Sequence, residues 1–186
     1  MNKKSLDIRS SVEWLKDGNI LIHPTESIWG LGCDAFNKLA VNLIFKIKKR
    51  NKNKNFILLI KSLDSFDYYL KNINKSDKDF LQKHWPGPYT FLIKYNKQLP
   101  EHLKNNTGKI ALRVSNHLPL KHLFKRYSGH IISTSANISG QVNLNNPNEI
   151  LDFFVSDKMA YYDETLGTNK SPSIIIDLES RSIIRA

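Results

Sequence analysis

Short apolar runs, set irregularly among helix-patterned segments, constrain this chain more than any other feature. Ile20–Ile22, Phe56–Ile60, Tyr89–Tyr95, Lys109–Val114 and Ile131-Ile132 read as strands. Ser173–Asp177 and Ser182–Arg185 read as a closing strand pair with a turn at Glu179-Ser180. Between them, Ser10–Lys16 carries Val12, Trp14 and Leu15 and stops at Gly18, and Leu39–Lys49 carries Leu39, Leu43, Ile44 and Ile47 at helical spacing. Leu63–Leu70, Lys75–His84, Leu118–Tyr127 and Asn148–Phe154 read as further helices, the second stopped by Pro86-Gly87-Pro88. Such an order predicts an α/β fold with a mixed, twisted sheet and flanking helices, not a regular doubly wound one. No repeat or long linker interrupts it, and 186 residues suit one domain spanning 1–186. The polar, turn-rich stretch 141–148 is expected to be a mobile loop.

Two stretches break the pattern. His23-Pro24-Thr25-Glu26-Ser27-Ile28-Trp29-Gly30-Leu31-Gly32 follows the first strand, and Ser133-Thr134-Ser135-Ala136-Asn137-Ile138-Ser139-Gly140 follows Ile131-Ile132. Both place small hydroxyl residues and glycines at a strand end, where α/β proteins bind ligands and where hydroxyl and backbone N–H groups can cradle an anion. The formal charge of +11, from 28 basic and 17 acidic residues, favours anionic partners such as nucleotides, phosphates or RNA, although lysine and asparagine are abundant throughout and only clusters carry weight. No apolar stretch approaches the roughly 20 residues of a membrane span. The N-terminal lysines lack the apolar run of a signal peptide. A single cysteine, Cys33, rules out an internal disulfide and a cysteine-rich zinc site and suits a reducing cytoplasm. It reads as a small buried apolar residue.

The densest basic run is Lys46–Lys54. It reads either as a solvated helix end, favoured by the macrodipole, or as a polyphosphate clamp built on Lys48, Arg50 and Lys54. Arg113 lies inside an apolar strand, where it needs an anion; a ligand carboxylate or phosphate is the preferred partner and a buried ion pair the alternative. Trp85–Thr90 is a rigid turn into a strand, either a scaffold corner or a means of facing Thr90 to a cleft. Ser173 reads equally as a turn residue or a cleft residue. His117 and His122, five apart, do not share a helix face, and no metal site is expected. There is no P-loop, no G-x-G-x-x-G and no kinase signature.

Five segments in order, Pro24–Asp34, Lys48–Lys54, Trp85–Thr90, Ala111–Val114 and Ser133–Asn137, resemble the motifs of the YrdC family in its single-domain TsaC-type threonylcarbamoyl-AMP synthase branch. The resemblance covers nearly the whole chain. Three departures stand out: His23 where tyrosine is frequent, Asn51 in place of a proline, and no additional C-terminal domain after Arg185. The resemblance implies a YrdC-like fold with a basic concave cleft. It also implies a cytoplasmic enzyme that joins L-threonine, bicarbonate and ATP into threonylcarbamoyl-adenylate and pyrophosphate. That product would feed N6-threonylcarbamoyladenosine (t6A) formation at adenosine 37 of tRNAs reading codons that begin with A, with transfer left to other pathway proteins and only weak tRNA contact here. Within that reading Lys48, Arg50 and Arg113 are the catalytic residues. Lys48, Arg50, Ser133, Ser135 and Asn137 bind ATP. Thr25, Ser27, Lys54 and Arg113 bind threonine, Lys54 also serving the phosphates, and Mg²⁺ shares the phosphate charge. No glutamate or histidine stands out as a general base. Two rivals are a non-catalytic RNA-binding module with a basic cleft and a carbamoyl-transfer domain like that of hydrogenase maturation proteins.

Overall fold

The computed structural model describes residues 4–51, 55–138, 143–169 and 171–186. In chain order the elements are β1 (Ser5–Leu6), α1 (Ile8–Lys16), β2 (Ile20–Pro24), β3 (Trp29–Asp34), α2 (Lys38–Ile47), β4 (Ile57–Leu59), α3 (Lys75–His84), β5 (Tyr89–Lys94), β6 (Lys109–Arg113), α4 (Leu118–Arg126), β7 (Ile131–Ser135), α5 (Pro147–Phe154), β8 (Met159–Tyr162), β9 (Ile174–Asp177) and β10 (Ile183–Arg185). All ten strands join one sheet in the order β1-β8-β2-β3-β7-β4-β6-β5-β9-β10. Parallel pairs (β1/β8, β2/β8, β4/β6, β5/β9) are mixed with antiparallel ones (β2/β3, β3/β7, β4/β7, β5/β6, β9/β10), as the irregular alternation predicts.

The period of two along each strand sorts side chains to opposite faces. Ile20, Ile22, Leu31, Leu58, Ile132, Leu112, Phe91 and Ile176 fall on one face and belong to a large apolar core that includes Val41 and Ile44 of α2, Leu81 of α3 and Ile150 of α5. Leu21, Leu59 and Ile131 fall on the other, where Val12 and Leu15 of α1 and Leu120, Leu123 and Phe124 of α4 cover them. Burial on both faces explains why β2 and β4 are continuous apolar runs rather than alternating ones. Helices α1 and α4 cover only part of this second face. The register sets Gly30, Ser135 and Ser133 beside Ile57, Ala111 and Arg113 on the uncovered part, which becomes the floor of a cleft.

Side chains close the starts of α1, α2 and α3. Asp7 Oδ1 accepts from Ser10 N at 2.7 Å, Asn37 Oδ1 from the N–H groups of Leu39 and Ala40 at 3.1 Å, and Asn74 Oδ1 from Asp77 N at 2.8 Å. Helix α1 ends before Gly18, at φ +74°, the left-handed conformation that glycine allows.

The structure differs from the sequence expectation in five places. Strands β1, β3 and β8 lie where none is expected, and β7 runs on through Ser135. Leu63–Leu70 contains only a 3-10 turn, Asp67–Tyr69. Ser65 Oγ donates to Ser62 O at 2.6 Å and closes a local turn, while Leu70 forms a β-bridge with Tyr95, so the apolar spacing there serves a surface loop that buries Phe66 and Leu70. Part of the expected mobile loop, 141–142, lies outside the described residues. Its described remainder is anchored where Trp29 Nε1 donates to Asn145 O at 3.0 Å and Asn146 caps α5.

Candidate active site

The uncovered sheet face floors a cavity of about 330 Å³. Its lining includes Gly30 of β3, Ser133 and Ser135 of β7, Ile57 of β4, Ala111 and Arg113 of β6 and Ile175 of β9, with Thr25, Ser27, Arg50, Phe56, Ser173 and Arg185 on the walls. The floor strands alternate a large side chain into the core with a small or polar one into the cavity. Trp29-Gly30-Leu31-Gly32 and Ser133-Thr134-Ser135 therefore read as loops in sequence and are strands in the molecule. A Cβ on Gly30 would lie 2.7 Å from His23 Cε1, and one on Gly32 would lie 2.9 Å from His23 Cδ2 and 3.0 Å from the Ile132 carbonyl. The two glycines thus make room for the buried imidazole of His23, whose Nε2 lies 3.2 Å from Ser133 Oγ.

The Thr25–Ile28 turn forms one wall. Thr25 Oγ1 donates to Ile28 O at 2.7 Å and accepts from the N–H groups of Ser27 and Ile28 at 3.3 and 3.2 Å, so this hydroxyl shapes the turn while lining the cavity. Glu26 points away from the turn to Arg113, whose Nη2 is 2.7 Å from Glu26 Oε2; both side chains are nearly buried. The other carboxylate oxygen accepts from Ser115 Oγ at 2.8 Å and Asn116 N at 3.1 Å. Burial pushes the Glu26 carboxyl up, but Arg113 and these hydrogen bonds outweigh it and hold the group below the usual carboxylate range. Residues 165–169 lie across the turn: Gly167 N donates to Thr25 O and Asn169 N to Glu26 O.

Lys48 sits at the C-terminus of α2 and is fully buried. Its ammonium donates to the carbonyls of Ser135 and Asn137, and Ser135 Oγ donates to Asn137 Oδ1 at 2.6 Å. Lys48 therefore stands behind the end of β7 and ties it down, outside the cavity lining. Burial, with the Arg50 charge nearby, pulls its pKa down to about 8. Arg50 does line the cavity: its Nη2 donates to Asn55 O at 2.8 Å and its guanidinium lies 5.0 Å from the Phe56 ring centroid. Lys54 lies outside the described residues.

Arg185 completes the opposite wall. Its Nη2 donates to Ser173 O at 2.7 Å, and Ser173 Oγ is 2.9 Å from Thr90 Oγ1. Burial first, then the nearby Arg113 charge, lowers the Arg185 pKa, as expected when two guanidinium groups share one cleft. Three arginines, Arg50, Arg113 and Arg185, thus line the cavity, and Glu26 forms an ion pair with Arg113. Cys33 is buried in the core, where burial pushes its thiol pKa up.

Of the residues singled out from sequence, the structure brings Thr25, Ser27, Arg50, Arg113, Ser133 and Ser135 to one cavity, and sets Lys48 and Asn137 behind it. Ser173 lines the cavity, whereas Thr90 is buried beneath it. Sequence reasoning assigns no role to Glu26, Arg185 or His23. A lone acid inside a glycine- and hydroxyl-rich motif, with an arginine buried elsewhere, was a signal for the Glu26 pairing. An arginine at the end of a short terminal strand gave no signal at all.

Residues 13–186 match the family model described as telomere recombination, which covers Sua5, YciO and YrdC. The chain belongs to the Sua5/YciO/YrdC family. The threonylcarbamoyl-AMP synthase of Saccharophagus degradans is 34% identical over 94% of this chain and 92% of its own length, and that of Stutzerimonas stutzeri 33% identical over 92% of each. Among solved structures, Escherichia coli YciO superposes with a TM-score of 0.82 at 26% identity, over 96% of this chain and 87% of its own. Sua5 of P. abyssi, complexed with L-threonine, gives 0.84 at 23% identity and covers 95% of this chain and 54% of its own; at that identity the likeness is one of fold. The Sua5/YciO/YrdC fold thus accounts for the ten-stranded mixed sheet, and the cleft on its uncovered face belongs to the same domain.

Proposed function

We propose that this chain is a threonylcarbamoyl-AMP synthase that makes threonylcarbamoyl-adenylate and pyrophosphate from L-threonine, bicarbonate and ATP. The observation that carries the reading is the cavity itself: a hydroxyl-bearing floor walled by three arginines, with a volume in the range of small-molecule sites. Relatives about one-third identical over more than nine-tenths of both chains bear that activity in their names.

In the first step the threonine amine attacks the bicarbonate carbon, a C–N bond forms and water leaves, giving a carbamate. A carbamate oxygen then bonds to the α-phosphorus of ATP. The bond from that phosphorus to the oxygen bridging to the β-phosphate breaks, and pyrophosphate leaves with the electron pair. ATP, bicarbonate and the carboxylate of L-threonine must meet for this, so positioning and neutralisation of negative charge dominate the catalysis. Arg50 and Arg185 supply fixed positive charge to the phosphates from opposite walls. Arg113, oriented by Glu26, faces the threonine carboxylate, and Thr25 and Ser27 shape the amino-acid end. Lys48 holds the carbonyls of Ser135 and Asn137 and thereby fixes the segment that meets phosphate or ribose oxygens. Lys54 remains assigned to the threonine and phosphate side by its place in the motif. Mg²⁺ would share the phosphate charge with Arg50 and Arg185; among the described residues no three His, Cys, Asp or Glu side chains stand together to hold a metal.

The product is reactive and would pass to other proteins for t6A formation at tRNA position 37, in the cytoplasm; no helix among the described residues is long and apolar enough to cross a membrane. The net charge of +11 supports weak tRNA contact and is the one observation that favours a purely RNA-binding role. The test is pyrophosphate release with L-threonine, bicarbonate or ATP omitted in turn. Release that needs all three is expected. No release under any condition from folded protein, with RNA affinity falling steeply with salt, would transfer the assignment to an RNA-binding module.

A further inference from the structure

We infer that His23 is a positioning residue that makes Ser133 a hydrogen-bond acceptor toward the cleft, so that Ser133 meets an N–H or O–H of bound L-threonine and not a phosphate oxygen. The choice of ligand rests on the synthase reading; the polarity of Ser133 does not.

His23 lies on β2, fully buried, under the two glycines that leave room for its ring. Its Nδ1 is 3.4 Å from the carbonyl oxygen of Pro24, which can only accept. The proton of the neutral ring therefore belongs on Nδ1, and Nε2 presents a lone pair. That lone pair faces Ser133 Oγ at 3.2 Å. A serine hydroxyl has one proton to give. Once Ser133 gives it to Nε2, only lone pairs remain to face the cavity that Ser133 lines. Ionised phosphate oxygens offer lone pairs as well, and two acceptors repel. The amine and hydroxyl of L-threonine offer the donors that such an oxygen needs.

The environment keeps the ring neutral. Burial pulls the His23 pKa down to about 4; the Pro24 carbonyl opposes it, His117 and Arg113 add to the fall, and Glu26 opposes it. Protonation would place a donor on Nε2 and reverse the polarity of Ser133, and burial prevents this at neutral pH.

The test has two independent arms. Nitrogen-15 NMR of the wild-type protein, with the His23 signals identified by their loss in His23→Phe or their shift in Ser133→Ala, reads the tautomer directly. The expected result is one Nδ1–H tautomer, unchanged from pH 6 to 8 by ordinary imidazole standards; an Nε2–H tautomer would overturn the inference even if the synthase activity is intact. In the second arm, calorimetry measures L-threonine and ATP separately on wild-type, Ser133→Ala and Ser133→Thr proteins. Ser133→Ala is expected to weaken L-threonine about tenfold and leave ATP within a factor of about two, with Ser133→Thr restoring threonine affinity. Equal losses for ATP, or unchanged L-threonine binding, would contradict the assignment of the donor to L-threonine. Absent pyrophosphate release from wild-type protein would remove the synthase reading while leaving the tautomer result standing.

Discussion

Arg113 shows what a buried cation needs. At the end of β6 it is 7% exposed, and it survives there because Glu26 and the Gly87 carbonyl, 3.3 Å from its Nε, receive it. Breaking such a pair leaves an uncompensated charge, so Glu26→Ala is expected to lower stability by about 3 kcal/mol in denaturant titration. Arg113→Ala is expected to cut turnover by on the order of 10²-fold, as loss of a charged transition-state contact does; near-normal turnover would remove Arg113 from the chemistry. The linkage has a definite sign. The Glu26 carboxyl is lower in the folded protein than its ordinary 4.5, so its contribution is full above that value and is lost as pH falls through the folded value. Acid unfolding of Glu26→Gln should therefore be less steep than that of the wild type below about pH 4.5. For Lys48 the linkage has the same sign in a higher pH window, because its pKa is lowered too. With its pKa near 8 it loses its charge as pH rises through that value, while the unfolded chain still holds the proton up to about 10.5. Turnover is expected to fall above about pH 8 and to hold to higher pH in a folded Lys48→Arg variant, whose guanidinium stays charged; superimposable profiles would mean that another group sets the alkaline limb.

At the scale of elements, the strands that carry the site are the ones hardest to read. Phe56–Ile60, Tyr89–Tyr95 and Lys109–Val114 are legible because both faces or the core face are apolar, and Lys75–His84 because its capping Asn74 and its terminating prolines are explicit. Strands β3 and the end of β7 hide because one face is small and polar where it floors the cleft, so their period of two alternates core residues with glycine and serine. Strands β1 and β8 hide for another reason: β1 is two residues long, and β8 owes its place to parallel pairing with β2, a long-range contact with no local signal. The motifs located the site well, yet Glu26 and Arg185 gain their roles only through partners 87 and 12 residues away. Close packing on β3 makes a sharp prediction. Gly32→Ala would press a methyl group against His23, Ile131 and the Ile132 backbone. It should cost about 1–3 kcal/mol, a Tm lower by roughly 3–10 °C by calorimetry, whereas an unchanged Tm would show that the strands can separate slightly at no cost.

For the whole molecule, ten strands in one sheet allow residues from both ends of the chain to meet. Thr25 and Ser27 near the N-terminus and Arg185 beside the C-terminus line one cavity because β9 and β10 add to the sheet edge beyond β5. Strand β10 is exposed and lies at the edge, so Arg185→Ala should leave the fold intact by circular dichroism while raising KM for ATP about tenfold or more, as loss of a charged hydrogen bond does. A KM for ATP unchanged in that variant would take the terminal strand out of the site. Synthase activity requires ATP, bicarbonate and L-threonine to be joined in this one cleft. Its most direct test is mass spectrometry of the nucleotide products formed from ATP, L-threonine and carbon-13 bicarbonate. An adenylate carrying both threonine and one carbon-13 atom, formed in step with pyrophosphate, is expected. Pyrophosphate released with only unlabelled AMP, or ATP left unconsumed by folded protein, would contradict it.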